Sequence, residues 1–498
     1  MSGMIGDNVK GLTNRRYFIF AVIAVGVLSA GAFLIISAQK YSLGFPLDDA
    51  WIHQTYARNL GEMGEWSFIP GQASAGSTAP LWSALIALGY LIKIPYKWWT
   101  YGIGVTALIA TAWLAVDWVK TRDRTFGMWG IGLAALFLLE WHLVWAALSG
   151  METILLAFLS VLFFWMLAQD VPGFFRVGVL IGVGIWIRPD ALTLLLPAAW
   201  IVFIMYRGNF RQIGTALLRI VVGIAGPFLI YLTMNWSVAG SIWPSTFYAK
   251  QVEYSILRQS PFLYRYFDQL TTIAAGALII LLPGILLYLI QAIKSRSWER
   301  LAPIIWAGAY IGAYAFRLPV TYQHGRYAIP TIPILLVVGF EGIRNWYSQN
   351  GESRVKRLIH RVWIFSLGAV VAIFWWQGSQ AYALDVAIIE TEMVKASRWI
   401  AENTESESAI AAHDIGALGY FGNRLIIDLA GLVTPEVIPI IRSEIDLDSF
   451  LDQNSADYLM TFPGWYPRLV SGRELIYSTD SEFSLQAGGE NMAIYRWR

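Results

Sequence analysis

The chain contains no cysteine among its 498 residues. This absence excludes disulfide bonds, thiolate catalysis and metal sites with cysteine ligands, and it is typical of a domain outside the cytoplasm. Charged residues are also scarce, at 14% of the chain, and the net charge is only +2. Such a small net charge does not indicate nucleic-acid binding. We therefore expect no nucleic-acid partner.

Apolar residues, in contrast, are abundant. Hydrophobic residues make up 56% of the chain, and the mean hydropathy is +0.52. A soluble domain carries roughly a quarter charged residues, so the composition predicts a multi-pass protein of the cell membrane, with the lipid bilayer as its surroundings. The 24 tryptophans are typical of rings at membrane interfaces or stacked against sugars.

Long apolar segments up to residue 378 predict about eleven transmembrane helices. The first segment, residues 17–38, is too long for a cleavable signal and reads as an anchor. Lys10, Arg15 and Arg16 precede it and predict a cytoplasmic N-terminus.

Residues 80–94 form a shorter apolar segment that we do not count as a span. If it crossed the bilayer, the basic residues Lys120, Arg122 and Arg124 would lie on the outer side, against the usual charge distribution. We expect an interfacial or re-entrant helix in the first outer loop.

From residue 379 onward the sequence becomes polar and mixed. A helical stretch at 390–403 is followed by strand-like segments at 409–413, 424–428, 457–462 and 492–497. This alternation predicts a small α/β domain at 379–498, which eleven spans would place outside the cytoplasm, after a membrane domain at 1–378. The glycines near residue 416 lack the spacing of a dinucleotide-binding loop, so we expect no nucleotide site.

Asp48 and Asp49 are adjacent carboxylates at the start of a predicted helix, at the membrane edge. One aspartate is sufficient to cap a helix. Since successive helical residues point about 100° apart, one can cap while the other faces a cavity. We regard both as candidate catalytic residues.

Other ionisable residues fall in the outer loops, where such groups tend to be functional. Lys250, His324 and Arg326 are candidate donors to a phosphate, because arginine offers a bidentate fork and lysine a point charge. Snorkelling to the interface is the alternative for Lys250 and Arg326. For Arg188 and Asp190, an ion pair closing a helix break is as plausible as a role in a site.

A carboxylate and cations on one face, without a nucleotide loop, favour a lipid-linked substrate with a phosphate in its head group. Glycosyl transfer from such a donor needs a base for the acceptor hydroxyl and cations for the departing phosphate. One base with a phosphate clamp predicts direct displacement with inversion at the anomeric carbon.

These motifs resemble the GT-C superfamily of integral-membrane glycosyltransferases that use polyprenyl-phosphate-linked sugars, and within it the branch of the mycobacterial terminal arabinofuranosyltransferases. The segments that carry the resemblance span most of the chain: residues 47–52, 75–82, 149–153, 188–190, 244–250, 325–327, 414–416 and 428–432. The resemblance implies a GT-C-like fold with interfacial helices in the first outer loop.

It further implies an inverting transfer of a sugar, with arabinofuranose and mannose as the candidates, to a glycan or protein acceptor at the outer face. An aspartate of the first outer loop would be the base, and we favour Asp48 slightly over Asp49. Some members use a divalent cation, so Mg²⁺ or Mn²⁺ at Asp48 or Asp49 stays open. The motifs also supply candidates for contacts with the substrate: His53, Arg58, Trp82, Glu152, Arg188, Asp190, Tyr248 and Tyr327.

A transporter or flippase of lipid-linked sugars is the alternative function. It would favour inverted repeats and ionisable residues near the bilayer midplane, whereas the charges here cluster at one face. Trp465, Tyr466 and Tyr420 are candidate surfaces for stacking an acceptor glycan, although core packing explains these aromatic residues equally well. His413 and Asp414, at the end of a strand, are more typical of structural residues.

Overall fold

A computed structural model describes residues 2–122, 127–349 and 354–498, which leaves the predicted basic residue Arg124 outside the described residues. The part that precedes the C-terminal domain is helical apart from one short hairpin. Its elements in chain order are α1 (Ser2–Lys40), α2 (Asp49–Met63), β1 (Ser67–Ile69), β2 (Gln72–Ala73), α3 (Pro80–Leu91), α4 (Tyr96–Arg122), α5 (Gly127–Leu139), α6 (Trp141–Leu148), α7 (Thr153–Leu167), α8 (Phe174–Ile187), α9 (Leu195–Met205), α10 (Phe210–Ala239), α11 (Ser245–Glu253), α12 (Phe262–Ala274), α13 (Ala277–Lys294), α14 (Ala302–Arg317), α15 (Tyr322–Gly325), α16 (Ile332–Gln349) and α17 (Arg354–Ile389).

Nine of the eleven predicted spans each overlap one helix of this series, whereas the span predicted at 126–147 overlaps both α5 and α6, and the span predicted at 270–293 overlaps both α12 and α13. Within the described residues, six helical segments are long and apolar enough to cross a membrane, or seven if α5 and α6, which meet at 54°, form one broken span. Several of the other apolar helices, such as α7 and α8, are shorter than the roughly 20 residues of a straight crossing. The fold is that of a multi-pass membrane protein.

The segment between α1 and α4 contains α2, the β1–β2 hairpin and α3, and we keep for it the name first outer loop, from its predicted side of the membrane. Helices α2 and α3 pack against each other, with Tyr56, Ala57 and Trp82 buried. Helix α3 has only 12 residues, as expected for a helix that does not span the bilayer. The predicted helix at 80–94 is therefore present.

The C-terminal domain continues directly from α17. A π-helical turn (Glu390–Val394) joins α17 to α18, so the helical run does not break at the predicted boundary near residue 378. The remaining elements are α18 (Lys395–Asn403), β3 (Ala409–Ala412), β4 (Leu425–Asp428), α19 (Glu444–Gln453), β5 (Tyr458–Thr461), α20 (Pro467–Val470), β6 (Leu475–Ser478), α21 (Glu482–Gln486) and β7 (Ala493–Arg496).

The five strands of this domain form one sheet in the order β4-β3-β5-β7-β6. Strand β3 pairs in parallel with β4 and β5, whereas β7 runs antiparallel to β5 and β6. The sequence predicts four of these strands. It misses β6, an edge strand whose pairing with β7 shifts register near Tyr477.

The C-terminal domain is joined to the first outer loop by polar and aromatic contacts. Arg58 donates to the carbonyl oxygen of Tyr420 at 2.8 Å, and Tyr90 donates to the hydroxyl of Tyr420 at 2.9 Å. The Trp51 ring lies 4.7 Å from that of Phe421. The start of α2 is thereby held between the membrane part and the C-terminal domain.

Helices α13 and α16 approach closely through glycines, so we expect Gly342→Ala to destabilise the membrane part. A Cβ atom at Gly342 would lie 1.9 Å from the carbonyl oxygen of Gly284. Overpacking of this kind costs about 1–3 kcal/mol. The midpoint of thermal unfolding in detergent should fall, whereas Gly368→Ala on α17, where a Cβ meets nothing within 4 Å, should leave it unchanged. Equal midpoints for the two variants would contradict this helix contact.

Candidate active site

A carboxylate and two cations meet at the start of α2. Asp49 Oδ2 accepts a hydrogen bond from Arg326 Nη2, and it lies 3.6 Å from Lys250 Nζ. The Tyr327 hydroxyl receives further hydrogen bonds from Lys250 at 3.2 Å and Arg326 at 3.1 Å. Three distant segments therefore converge on one ion cluster, which we define as Asp49, Lys250, Arg326 and Tyr327.

Local backbone structure places each member of this cluster. Asp49 is the first residue of α2, and Lys250 lies in the last turn of α11. Arg326 follows the single turn α15, whose backbone is left-handed: Gln323, His324 and Gly325 have positive φ, at 55°, 59° and 67°. The Arg326 side chain, just after this turn, contacts Asp49 at the start of α2.

Arg326 has unused hydrogen-bonding capacity. Its side chain is only 7% exposed, and its Nε and Nη1 atoms are buried without a hydrogen-bond partner among the residues that the structure describes. Buried polar groups are nearly always paired. Two unpartnered nitrogens, which carry three N–H groups and lie beside a lysine, are therefore suited to an anion such as a phosphate.

Asp48 faces a different partner. Its two carboxylate oxygens accept hydrogen bonds from the backbone N–H groups of Gly416, at 2.7 Å, and Ala417, at 2.8 Å. These amides belong to the C-terminal domain, directly after β3. A Cβ at Gly416 would lie 2.0 Å from the carbonyl oxygen of Asp48, so the close approach requires glycine. Asp48 thus joins the two parts of the protein.

The two aspartates differ in acidity as a result. Burial and the nearby carboxylate of Asp414 raise the pKa of Asp48 to about 8, against the opposing effect of the two amides. Burial also acts to raise the pKa of Asp49, but the charges of Lys250 and Arg326 outweigh it and hold that pKa below its usual range. At neutral pH Asp49 is the ionised member of the pair.

A second buried network lies next to the ion cluster. Arg188 Nε is 3.5 Å from Glu152 Oε1 and 3.0 Å from Asp190 Oδ2. His53 Nε2 is 3.6 Å from Glu152 Oε2. Tyr314 accepts a hydrogen bond from Arg188 at 2.6 Å and its ring stacks 5.3 Å from that of Tyr327. The network therefore contacts the ion cluster through the two tyrosine rings.

Two cavities meet at the ion cluster. The first, of about 520 Å³, lies among the membrane helices and is lined by Glu152, Arg188, Asp190, Trp243 and Phe247, among others. The second, of about 720 Å³, lies between the membrane part and the C-terminal domain and is lined by residues that include Asp48, Asp49, His413, Asp414 and Trp465. Lys250, Arg326 and Tyr327 line both cavities. These three residues form their common wall.

Four residues that the sequence suggests for the site lie elsewhere. His324 lies 2.8 Å from Asp385 and edge-on to Trp141, because the positive-φ turn separates its direction from that of Arg326. Arg58 binds the C-terminal backbone, and Trp82 donates to the Gly150 carbonyl oxygen. Tyr248 is 38% exposed and lines neither cavity. The structure thus brings Asp49, Lys250, Arg326 and Tyr327 together, with Glu152, Arg188, Asp190 and His53 beside them.

Sequence reasoning misses Tyr314 and underrates Asp414. Tyr314 belongs to an apolar helix, and no local pattern distinguishes it from a core residue. Asp414, which the sequence indicates as structural, lines the second cavity with Asp48. The backbone amides of Gly416 and Ala417 carry no side-chain signal at all.

Residues 382–495 match a family described as a domain of unknown function (DUF8728). A comparison with curated proteins finds no match.

Solved structures of similar fold cover nearly the whole chain. ArnT from Cupriavidus metallidurans in the apo state has a TM-score of 0.61 at 13% identity, over 95% of this chain and 97% of its own. The same protein bound to undecaprenyl phosphate has a TM-score of 0.59 at 13% identity, over 96% and 98%. The oligosaccharyltransferase AglB from Archaeoglobus fulgidus, in complex with an inhibitory peptide and a dolichol-phosphate, has a TM-score of 0.62 at 12% identity, over 90% and 70%.

At these identities the similarities concern the fold. They support the GT-C architecture that the motifs indicate, and none of them singles out the arabinofuranosyltransferase branch. The chain has the GT-C fold, with a small α/β domain at its C-terminal end.

Proposed function

We propose that this protein is an inverting glycosyltransferase that moves a sugar from a polyprenyl-phosphate donor to a glycan or protein acceptor at the outer face of the membrane. The observation that carries the proposal is the ion cluster at the common wall of two cavities. There a carboxylate faces two cations, one of which has two unpartnered nitrogen atoms. The structural neighbours bound to undecaprenyl phosphate and dolichol-phosphate support a donor of this class.

Lys250 and Arg326 bind the donor phosphate in this proposal. Arg326 contributes its charge and the unpartnered N–H groups on Nε and Nη1, which point to different edges of the guanidinium plane, and Lys250 adds a point charge. The first cavity, with Trp243 and Phe247 in its lining, accommodates the start of the lipid chain between the membrane helices. His324, paired with Asp385, takes no part in phosphate binding.

Asp49 acts as the general base, in preference to Asp48. Both contacts of Asp49 with the cations use Oδ2, while both oxygens of Asp48 accept backbone hydrogen bonds. Asp49 takes the proton of the acceptor hydroxyl, and the acceptor oxygen attacks the anomeric carbon opposite the phosphate. The bond from that carbon to the phosphate oxygen breaks, and its electron pair leaves with the polyprenyl phosphate.

Donor binding prepares the base in this mechanism. In the absence of donor, Lys250 and Arg326 neutralise Asp49 and weaken it as a base. The donor phosphate competes for the same two cations, so its arrival frees the carboxylate of part of its ion pairing and raises its pKa. Proton removal is then favoured only when a donor is present.

The orientation follows from the same proposal. The N-terminus lies in the cytoplasm, and the first outer loop and C-terminal domain lie outside, where lipid-linked sugars meet envelope glycans or secreted proteins. The resemblance to terminal arabinofuranosyltransferases makes polyprenyl-phosphate arabinofuranose the first donor to test, with mannose second.

We expect Asp49→Asn to reduce transfer at least about 10²-fold, the usual contribution of a general base. The assay uses purified protein in detergent, synthetic polyprenyl-phosphate sugars and mass spectrometry of products. Binding of polyprenyl phosphate should persist, because both cations remain. Asp170→Asn, a substitution at an exposed position, should transfer at the normal rate. Normal transfer by Asp49→Asn would rule out this base.

The pH dependence distinguishes the two aspartates. With Asp49 as base, kcat/KM should show no rise between pH 6 and about 9 in the free enzyme, because the pKa of Asp49 is lowered. With Asp48 as base, kcat/KM should increase as the pH passes about 8. Initial rates at low donor concentration across this range measure the difference, and an increase near pH 8 would reassign the base.

We also propose that transfer needs no divalent cation. No group of three or more histidine, aspartate or glutamate side chains that could hold a metal ion exists among the described residues. Asp49 already pairs with two cations, and Asp48 accepts hydrogen bonds from two backbone amides. Excess EDTA should therefore leave the rate within about twofold of its initial value, since Lys250 and Arg326 provide the charge that stabilises the leaving phosphate. Loss of activity in EDTA, restored by Mg²⁺ or Mn²⁺, would contradict the assignment.

A further inference from the structure

The sheet of the C-terminal domain has a topological switch point. From β3 the chain passes to β4 on one side, and from the adjacent parallel strand β5 it passes to β6 at the opposite edge of the sheet. The connections that leave β3 and β5 therefore diverge. In open α/β sheets ligands bind at this position, outside the carboxyl ends of the strands.

Side chains with binding chemistry follow both strands at this point. His413 and Asp414 come directly after β3, and Trp465 and Tyr466 come shortly after β5. His413 Nδ1 lies 2.7 Å from the Tyr466 hydroxyl, and its ring is edge-on to Trp465 at 5.2 Å. We call these four residues the switch-point crevice.

The switch-point crevice opens into the second cavity. All four of its residues line that cavity of about 720 Å³, which is within the usual range for ligand pockets. Asp49 and Arg326 line the same cavity from the membrane part. A ligand held by the C-terminal domain would therefore face the catalytic carboxylate directly.

The chemistry of the crevice favours a sugar. Trp465 lines the cavity and is 50% exposed, so part of its ring is free to contact a ligand. An exposed aromatic face of this kind packs against the apolar face of a sugar ring. The carboxylates of Asp414 and Glu253 line the same cavity and can accept hydrogen bonds from hydroxyl groups. The carboxylates disfavour an anionic ligand at this end of the cavity.

A peptide ligand fits the crevice less well. Strands β3 and β5 each have a neighbour on both sides, so neither offers a free edge on which an extended peptide could add a strand. The lining of the second cavity is also more polar than that of the first cavity, whose more apolar lining suits the lipid.

Helix α11 connects the crevice to the ion cluster. Its Lys250 contacts Asp49, while Glu253, three residues later and on the same face, lies 3.4 Å from His413 Nε2. One short helix thus contacts both the proposed phosphate site and the crevice. The helix therefore holds a donor phosphate at Lys250 and a ligand of the crevice at a fixed separation from each other.

We propose that the switch-point crevice is the acceptor site and that it binds the terminal sugar residues of a glycan. Trp465 stacks on a sugar ring, Asp414 accepts hydrogen bonds from its hydroxyls, and the hydroxyl to be glycosylated faces Asp49. The proposal rests on the glycosyltransferase function proposed above, and it assigns a role to the C-terminal domain.

The test measures glycan binding by the full chain in detergent micelles. Fluorescently labelled protein is applied to an array of defined oligosaccharides that includes arabinofuranosyl and mannosyl oligomers. We expect the wild type to bind at least one glycan, and Trp465→Ala and Asp414→Asn to weaken that binding at least about tenfold. Trp399→Ala, at a tryptophan of the same domain that stacks on Tyr477 outside this cavity, should bind with wild-type affinity.

Polyprenyl phosphate binding in the same samples reports on the other cavity and shows that each variant is folded. Wild-type glycan affinity in Trp465→Ala and Asp414→Asn would overturn the acceptor site, as would the absence of glycan binding by a wild type that binds polyprenyl phosphate. If the wild type binds glycan through Trp465 but neither transfers nor hydrolyses any donor, the glycosyltransferase proposal fails and the glycan site stands.

Discussion

The buried ion pair between Asp49 and Arg326 is the contact on which the site depends. A guanidinium that is 7% exposed would cost several kcal/mol without a counter-charge. Asp49 provides that charge, and Lys250 joins it from α11. The pairing fixes the relative positions of the first outer loop, the loop helix α11 and the turn before α16, which are far apart in sequence. Because the pair leaves two Arg326 nitrogens without a hydrogen-bond partner among the described residues, the same contact that stabilises the fold retains capacity for an anion.

Asp48 extends this constraint to the C-terminal domain. Its carboxylate is held by the amides of Gly416 and Ala417, so the residue before the ion cluster is fixed to the segment after β3. Adjacent residues at a helix start point in different directions. The two aspartates therefore have different roles: Asp48 attaches the C-terminal domain, and Asp49 belongs to the ion cluster. A shift of the C-terminal domain would displace Asp48 and, through the peptide bond that joins the two residues, Asp49 as well.

The sequence predicts the parts of this arrangement that depend on local patterns. Apolar length identifies the helices, and alternation identifies four of the five strands of the sheet. The adjacent aspartates and the loop cations Lys250 and Arg326 stand out because charges are rare in such a chain. Side-chain direction is not predicted: His324 is two residues from Arg326, yet a turn of three positive-φ residues places its ring beside Asp385. Backbone donors such as Gly416 cannot be read from side-chain chemistry, so the contact that holds Asp48 is not visible in the sequence.

In the proposed mechanism, the position of the ion cluster between two cavities determines the order of donor binding and acceptor activation. While the cations hold Asp49, its pKa stays low and an acceptor hydroxyl in the second cavity keeps its proton. A phosphate in the first cavity shares the same cations, so the carboxylate gains basicity only when the leaving group is already bound. Water that enters the second cavity before the donor therefore meets a weak base. The shared wall couples activation of the acceptor to occupancy by the donor without any need for a moving lid.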